Sequence, residues 1–546
     1  DKPLVSGGSG ANPKWGEVPI GLGGGNFSNN VAVGNSALSA NTSGTNNTAI
    51  GYITLTQNTT GSNNTAVGSN ALLVNTTGNG NSAMGLESLY ANTTGSSNTA
   101  VGYRALKYNT TASWNTAIGY QSLNTNTTGA QNVANGYLAL FANTTGSYNV
   151  AAGTSALTSN TTGNSNIAIG NEALKSNTTA SWNIATGEGA LYANTTGAQN
   201  VAYGAYALNA NTTGSNNVAV GMQVLDFNTT GSNNTASGYQ SLYTNTTGAQ
   251  NVANGYLALF ANTTGNSNIA IGNEALKSNT TASWNIATGE GALYANTTGA
   301  QNVAYGAYAL NANTTGSNNV AVGMQVLDFN TTGSNNTASG YQSLYTNTTG
   351  IDNTAVGHCA LYSNTTGRQN VAVGDFSGYY NNTGSYNTCI GDYAGLNTTT
   401  GSGNISIGGT NSSGSYTPVA NLGTVNDRIS MGSTSVAAAY IQVAWTTASD
   451  ARDKTEFAPV PHGLAFVNKL KPTAYRYKLS RESAEAHGPV RYGFKAQDVL
   501  ALEGSNSVIV DAEDADKLRF NDQSLLAVLV NAIQELTARL EILENK

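Results

Sequence analysis

Thr45-Asn46-Asn47-Thr48-Ala49-Ile50-Gly51-Tyr52-Ile53-Thr54-Leu55-Thr56-Gln57-Asn58-Thr59-Thr60-Gly61 is one complete unit of a pattern that fills most of the chain. Its closing Asn-Thr-Thr-Gly recurs in steps of 17 residues, ending at Gly44, Gly61, Gly78, Gly95, Ala112 and onward to Gly401, 22 marks without an insertion. Residues 160–248 are copied at 262–350, six periods on, and 126–146 at 245–265, seven periods on. Copying in whole units is tolerated where each repeat touches mainly its neighbours, which is the property of a solenoid. Within the unit, Thr48, Ala49 and Ile50 read as a short strand, with the branched pair on one side and the small Ala on the other. Gly51 suits a bend. A second apolar pair follows, as in Ala71-Leu72, and Asn-Thr-Thr-Gly closes the unit as a turn on the expectation that Asn and Gly take left-handed angles. Two short strands and two turns per unit predict one coil of a parallel β-roll. Leu has one inward place per coil, which makes a thin core. Ala faces left exposed predict close contact with another chain, hence a trimer.

Composition sets bounds on the rest. Of 546 residues only 9% are charged, the net charge is −7 and the pI is about 5.0. Clustered Lys and Arg for a nucleic-acid partner are missing. No apolar run reaches the length of a membrane-spanning helix, and no signal peptide is visible. Two cysteines, Cys359 and Cys389, do not make a disulfide framework. Neither a metal site nor a cofactor is expected: His358-Cys359 has no completing ligands, and Cys389 takes the small Ala place of a strand.

From Ser449 the chain changes character. Five Lys or Arg lie between Gly44 and Gly401, against thirteen in residues 449–546. Leu526, Leu529, Ile533, Leu536, Leu540 and Leu543 are spaced 3, 4, 3, 4, 3, an a/d seam that favours a coiled coil over a helix packed on its own domain. The expected domains are an N-terminal attachment segment, 1–26; the repeat shaft, 27–401; a β transition region, 402–448, with strands at Arg428–Gly432 and Tyr440–Trp445; and a C-terminal domain, 449–546.

Two resemblances follow from these motifs. The Asn-x-Ala-x-Gly-x-x-Ala-Leu units resemble the head repeats of trimeric autotransporter adhesins, and similar repeats occur in phage tail fibres and secreted bacterial fibres. That implies a trimeric, mostly β, parallel β-roll. The adhesins' membrane barrel is not evident, so no membrane insertion is expected. Ser449-Asp450-Ala451-Arg452-Asp453-Lys454, Leu470-Lys471-Pro472-Thr473-Ala474-Tyr475, Gly493-Phe494-Lys495-Ala496-Gln497-Asp498-Val499 and Asn531-Ala532-Ile533-Gln534-Glu535-Leu536 resemble, in order, four blocks of the endosialidase-type intramolecular chaperone. Asp453, where a Leu is common, and Asp498 for Glu are mild departures. The resemblance implies a domain that trimerises, folds the upstream fibre and cuts itself off between Ala448 and Ser449. By that analogy Ser449 is the nucleophile and Lys454 the base, with Arg452 lowering the lysine's proton affinity and Asp450 orienting the group. A domain that folds the fibre and stays attached, with Ser449 inert, remains open.

The expected function is a homotrimeric phage tail fibre in the virion. It recognises a host receptor or polysaccharide and joins other tail or baseplate proteins through its N-terminus. The alternative is a secreted bacterial surface fibre, and a polysaccharide-degrading spike ranks behind both. Asp375 and Asp392, and the pairs Glu172/Glu188 and Glu274/Glu290, are the carboxylates such a spike would need. They sit on a wall without pocket-forming loops, so they read as solvated surface. Tyr52, Tyr103, Tyr120, Tyr137 and Tyr239 read as an outer ladder rather than sugar-stacking rings, and Thr pairs in turns do not form a flat ice-binding rank.

Overall fold

The computed structural model describes residues 29–436, 451–478, 484–504, 507–512, 515 and 518–546, with the backbone of Ile20–Gly21. Twenty-three three-residue strands, from Val31–Val33 to Ile405–Ile407, follow one another at 17-residue intervals. Each pairs in parallel with the next in unshifted register, as Thr48↔Thr65, Ala49↔Ala66 and Ile50↔Val67. One repeat is therefore one coil. At the strand spacing of a sheet, 22 steps give a shaft of about 105 Å.

Only one strand per coil is present, not the two expected. The second apolar pair lies in a run of turns that still bonds to both neighbouring coils. Its residues alternate in hand: Gly51 has φ +139°, Ile53 +55° and Leu55 +51°. This alternation bends the chain while keeping its N–H groups along the shaft axis. Ile53 N–H donates back to the Asn35 carbonyl at 2.9 Å, and Leu55 N–H forward to the Ala71 carbonyl at 3.0 Å. A left-handed Leu costs about 1–2 kcal/mol. Complete burial of its side chain contributes about 2 kcal/mol or more, so the strained position is held.

The interior of a coil is narrow. Ala66, Ala71 and Leu72 of one coil are all fully buried, and the same places are buried along the shaft. Ala thus faces inward and the branched pair outward, so the expected exposed Ala face does not exist. The outward surface of the sheet is made instead by the first and third strand positions. Except at Ser82, the first is Thr, Val or Ile in every strand from Val31 to Ile429.

Two buried asparagine rows close the core, and sequence reading gave them another role. Asn58 opens the Asn-Thr-Thr-Gly turn without a left-handed angle. Its amide donates to Asn41 Oδ1 at 2.9 Å and to the Gly61 carbonyl at 2.9 Å. Asn47, two residues before Ala49, donates to the same Gly61 carbonyl at 2.9 Å, and its Oδ1 accepts from Asn64 N at 3.0 Å. Gly61 is small for a different reason than expected: a Cβ there would strike the Gly78 carbonyl and the Asn58 amide oxygen. Ala112, Ala180 and Ala282 show that the place accepts a methyl when the next coil yields slightly.

The 17-residue period stops at Gly401, but the sheet does not. Ile429–Met431 pairs in parallel with Ile405–Ile407 after an interval of 24 residues. The added residues fold out near 409–418, pinned by bridges Thr410↔Tyr416 and Pro418↔Ser433. The strand expected at Tyr440–Trp445 lies outside the described residues.

The C-terminal unit is small and mixed. It contains helix α1 (Leu464–Val467), a hairpin of Thr473–Lys478 with Ala486–Gly493, helix α2 (Ala496–Glu503), a two-residue hairpin of Val510–Asp511 with Arg519–Phe520, and helix α3 (Asp522–Glu544). Phe466, Val499, Ile509, Val510, Leu525 and Val528 form its core. Mostly β architecture with a parallel solenoid and a small helix-containing C-terminal unit is the expected fold class.

Candidate functional site

Helix α3 organises the C-terminal unit because it carries two apolar faces and one polar edge. Asn521 caps its start, accepting from Ser524 N at 3.3 Å. Leu525, Val528 and Ala532 form the inner face, buried against the core. The heptad seam read from the sequence is a different face. Leu526, Ile533, Leu536, Leu540 and Leu543 are 45–68% exposed, and Leu529 alone of the six packs partly on the core. A helix packed only on its own domain would hide its seam. Here the seam faces away from the chain that carries it.

The polar edge of α3 holds the segment that follows the expected cleavage point. Asn531 Nδ2 donates to the His462 carbonyl at 2.9 Å. Glu535 Oε2 accepts the Leu464 N–H at 2.9 Å, at the free N-terminus of α1. His462 stacks on Phe466 with ring centroids 4.3 Å apart. The block Asn531–Leu536 thus serves as a clamp on residues 462–466 through its polar side chains, a role that its spacing did not reveal.

A second fastening was missed altogether. Glu503, nearly buried at the end of α2, accepts three successive backbone N–H groups: Oε1 from Val508 at 2.8 Å and Ile509 at 2.6 Å, and Oε2 from Val510 at 2.9 Å. Consecutive N–H groups converging on one carboxylate make an anion nest. It ties α2 to the small hairpin, where Arg519 meets Asp511 at 2.9 Å. No sequence motif announces a glutamate that binds backbone five to seven residues downstream.

Of the expected catalytic group, Ala448, Ser449 and Asp450 lie outside the described residues. Arg452 falls in a short 3-10 turn, Ala451–Asp453, and Lys454 follows it with its N–H on the Ala451 carbonyl at 3.3 Å. Both side chains are exposed in the single chain.

On the shaft, the weighed carboxylates are engaged or solvated. Glu172 pairs with Lys175 at 2.7 Å, and Glu188 accepts from the Tyr206 hydroxyl at 3.0 Å. Asp375 and Asp392 are exposed. Burial pushes the Cys389 thiol up to about 12, which fits an inert filler in the Ala row. Cys359 lies with Sγ 3.5 Å from His358 Nε2, its thiol pushed up by burial and by Asp375. Of the five tyrosines, Tyr103, Tyr120 and Tyr137 stack as a ladder at 5.1 and 5.3 Å, and Tyr239 stacks on Tyr256 at 5.7 Å. Rings so stacked cover one another's faces and turn only edges outward.

In comparisons with curated proteins and with solved structures, nothing matches the chain. Among family models, residues 449–506 match the one described as chaperone of endosialidase. The match begins on the serine that opens the first motif block and ends just past the Glu503 that fastens α2. A 17-residue β-solenoid therefore runs into a segment similar to the chaperone of endosialidase.

Proposed function

We propose that this chain is a homotrimeric tail fibre of a phage, used for host-surface recognition, whose C-terminal domain folds the fibre and then cleaves itself between Ala448 and Ser449. The observation that carries the reading is the chaperone match, which starts at Ser449, C-terminal to the shaft and the transition region. Two surfaces support three copies over one. The seam of α3 is apolar and solvent-facing at five of its six residues. The outer face of the sheet runs about 105 Å with Val, Ile and Thr on its first row. Exposed Val and Ile repeated along a face of that length, interleaved with Thr, suit an interaction site. The sheet face, rather than the Ala row, is where the subunits meet.

In the cleavage step Ser449 Oγ attacks the Ala448 carbonyl carbon while Lys454 takes the hydroxyl proton. The Ala448–Ser449 C–N bond breaks, the proton passes to the freed amine, and an ester remains. Water hydrolyses the ester to the Ala448 carboxylate and the Ser449 hydroxyl. The test is the intact mass of the full chain and of Ser449→Ala after expression. Wild type yields a separate fragment beginning at Ser449 and the variant stays whole. A wild type that remains full length, or a variant cut equally well, refutes self-cleavage by this dyad. The N-terminal segment serves attachment to other tail or baseplate proteins.

A further inference from the structure

One row of the shaft carries residues that its own backbone disfavours. The position two residues after each turn Gly or Ala is left-handed throughout the repeats, and Asn, Gln, Ser or Gly occupy most of it. Asn and Gly tolerate this conformation, whereas bulky residues in it are outliers. Yet the row holds Trp114 at φ +61°, Tyr148 at +63°, Trp182 at +65°, Trp284 at +66° and Tyr386 at +62°. Burial does not compensate for them: the three Trp are 65% exposed and Tyr148 is 60% exposed. Strain held at an exposed ring without a gain in packing points to use of the ring.

Spacing says what the use is. Trp114, Tyr148 and Trp182 fall on alternate coils, with Gln131 and Ser165 between them. Two coils advance about 10 Å, the advance of one disaccharide in an extended β-linked glycan. That separation is beyond ring stacking, which needs roughly 4.5–7 Å between centroids. Unlike the stacked tyrosines, these rings are spaced too far apart to cover one another. The intervening amide and hydroxyl suit sugar hydroxyls, and the row is uncharged over these five coils. The duplicated block repeats the Trp182 position at Trp284, six coils or about 29 Å further along.

We propose that the edge bearing Trp114, Tyr148 and Trp182 is a docking strip for an extended, uncharged, β-linked hexopyranose chain, the rings stacking on alternate sugars. The proposal deepens the adhesion reading and rests on it. The test uses the full chain and the triple variant Trp114→Asn/Tyr148→Asn/Trp182→Asn, since Asn suits the left-handed backbone. Retention on microcrystalline cellulose and on chitin is measured, alongside molar mass by light scattering and the melting temperature. The wild type is retained on one of the two. The variant binds roughly tenfold more weakly or worse, with unchanged mass and an equal or higher melting temperature. Absence of wild-type retention, or equal retention of the variant, overturns the strip. A variant of altered molar mass also overturns it, since the rings would then be subunit contacts. None of these outcomes touches the fibre-and-chaperone reading, which the mass of the Ser449→Ala chain decides.

Discussion

Replacing Asn200 by Ala tests whether the buried amide rows, rather than the thin apolar core, hold the shaft. Asn200 Oδ1 accepts from Asn217 N at 3.0 Å and from Asn217 Nδ2 at 3.1 Å. Its Nδ2 donates to the Gly214 carbonyl at 2.9 Å and to Asn183 Oδ1 at 3.2 Å. In the Ala variant Gly214 keeps Asn211 as a donor at 2.9 Å. Asn217 N–H, fully buried, loses its acceptor outright. One orphaned buried donor plus the lost side-chain bonds costs about 3 kcal/mol, or roughly a hundredfold in the local opening equilibrium. Because each coil touches only its neighbours, the loss stays local. Hydrogen exchange of the folded full chain, read by mass spectrometry on peptides spanning Val201–Asn217, should accelerate by that factor while distant coils stay unchanged. Asn200→Asp is the sharper variant. Its second oxygen would face two acceptors, Gly214 O and Asn183 Oδ1, as a buried charge. Such a group is held protonated in the folded state, so stability falls as pH rises above about 4. At neutral pH the Asp variant should exchange faster than the Ala variant, and the order should reverse in acid. Exchange at residue 217 within about twofold of wild type in both variants would refute the amide-row account.

Glu503→Gln leaves one acceptor oxygen for three N–H groups, so the C-terminal unit should lose about 2 kcal/mol and melt earlier by calorimetry, with the shaft transition unmoved. Asp226 and its copy Asp328 are raised from an ordinary 3.8 to about 6 by burial alone. The folded state then binds a proton that the unfolded state has released, so shaft stability falls as pH rises from about 4 to 6 and levels above it. Asp226→Asn/Asp328→Asn should remove that slope and stabilise the shaft at pH 7 by roughly 1–2 kcal/mol per site, allowing for partial exposure. A thermal-melt series across this window checks both the sign and the plateau.

The period, the one-coil unit and the inward Leu were all legible in residues 45–61, because a strictly repeated spacing leaves one way to stack. So was the change at Ser449, since charge density reports a domain of another kind. The direction of the Ala row was misread in part. Alternation shows that Ala and its branched neighbours face opposite ways, but it does not show which side is the inside. The narrow coil settles that, since only a small side chain (Ala, or Cys389 and Ser406 in its place) fits between the walls. The second strand failed for a related reason: a left-handed Leu is disfavoured in isolation and becomes stable only when the next coil accepts its N–H and buries its side chain. Asn58 and Gly61 were assigned to turn chemistry that a single repeat could satisfy. Asn58 does bond to Gly61 within the turn, but the further partners, Asn41, Asn75 and the Gly78 backbone, lie a full coil away. The α3 seam was visible as a pattern, but that it faces outward depends on Leu525 and Val528 claiming the inner face. The sequence by itself determined the period, the stacking and the seam. The tertiary structure decided which side each row faces, because a side chain's direction is fixed by the neighbour that must pack or bond against it.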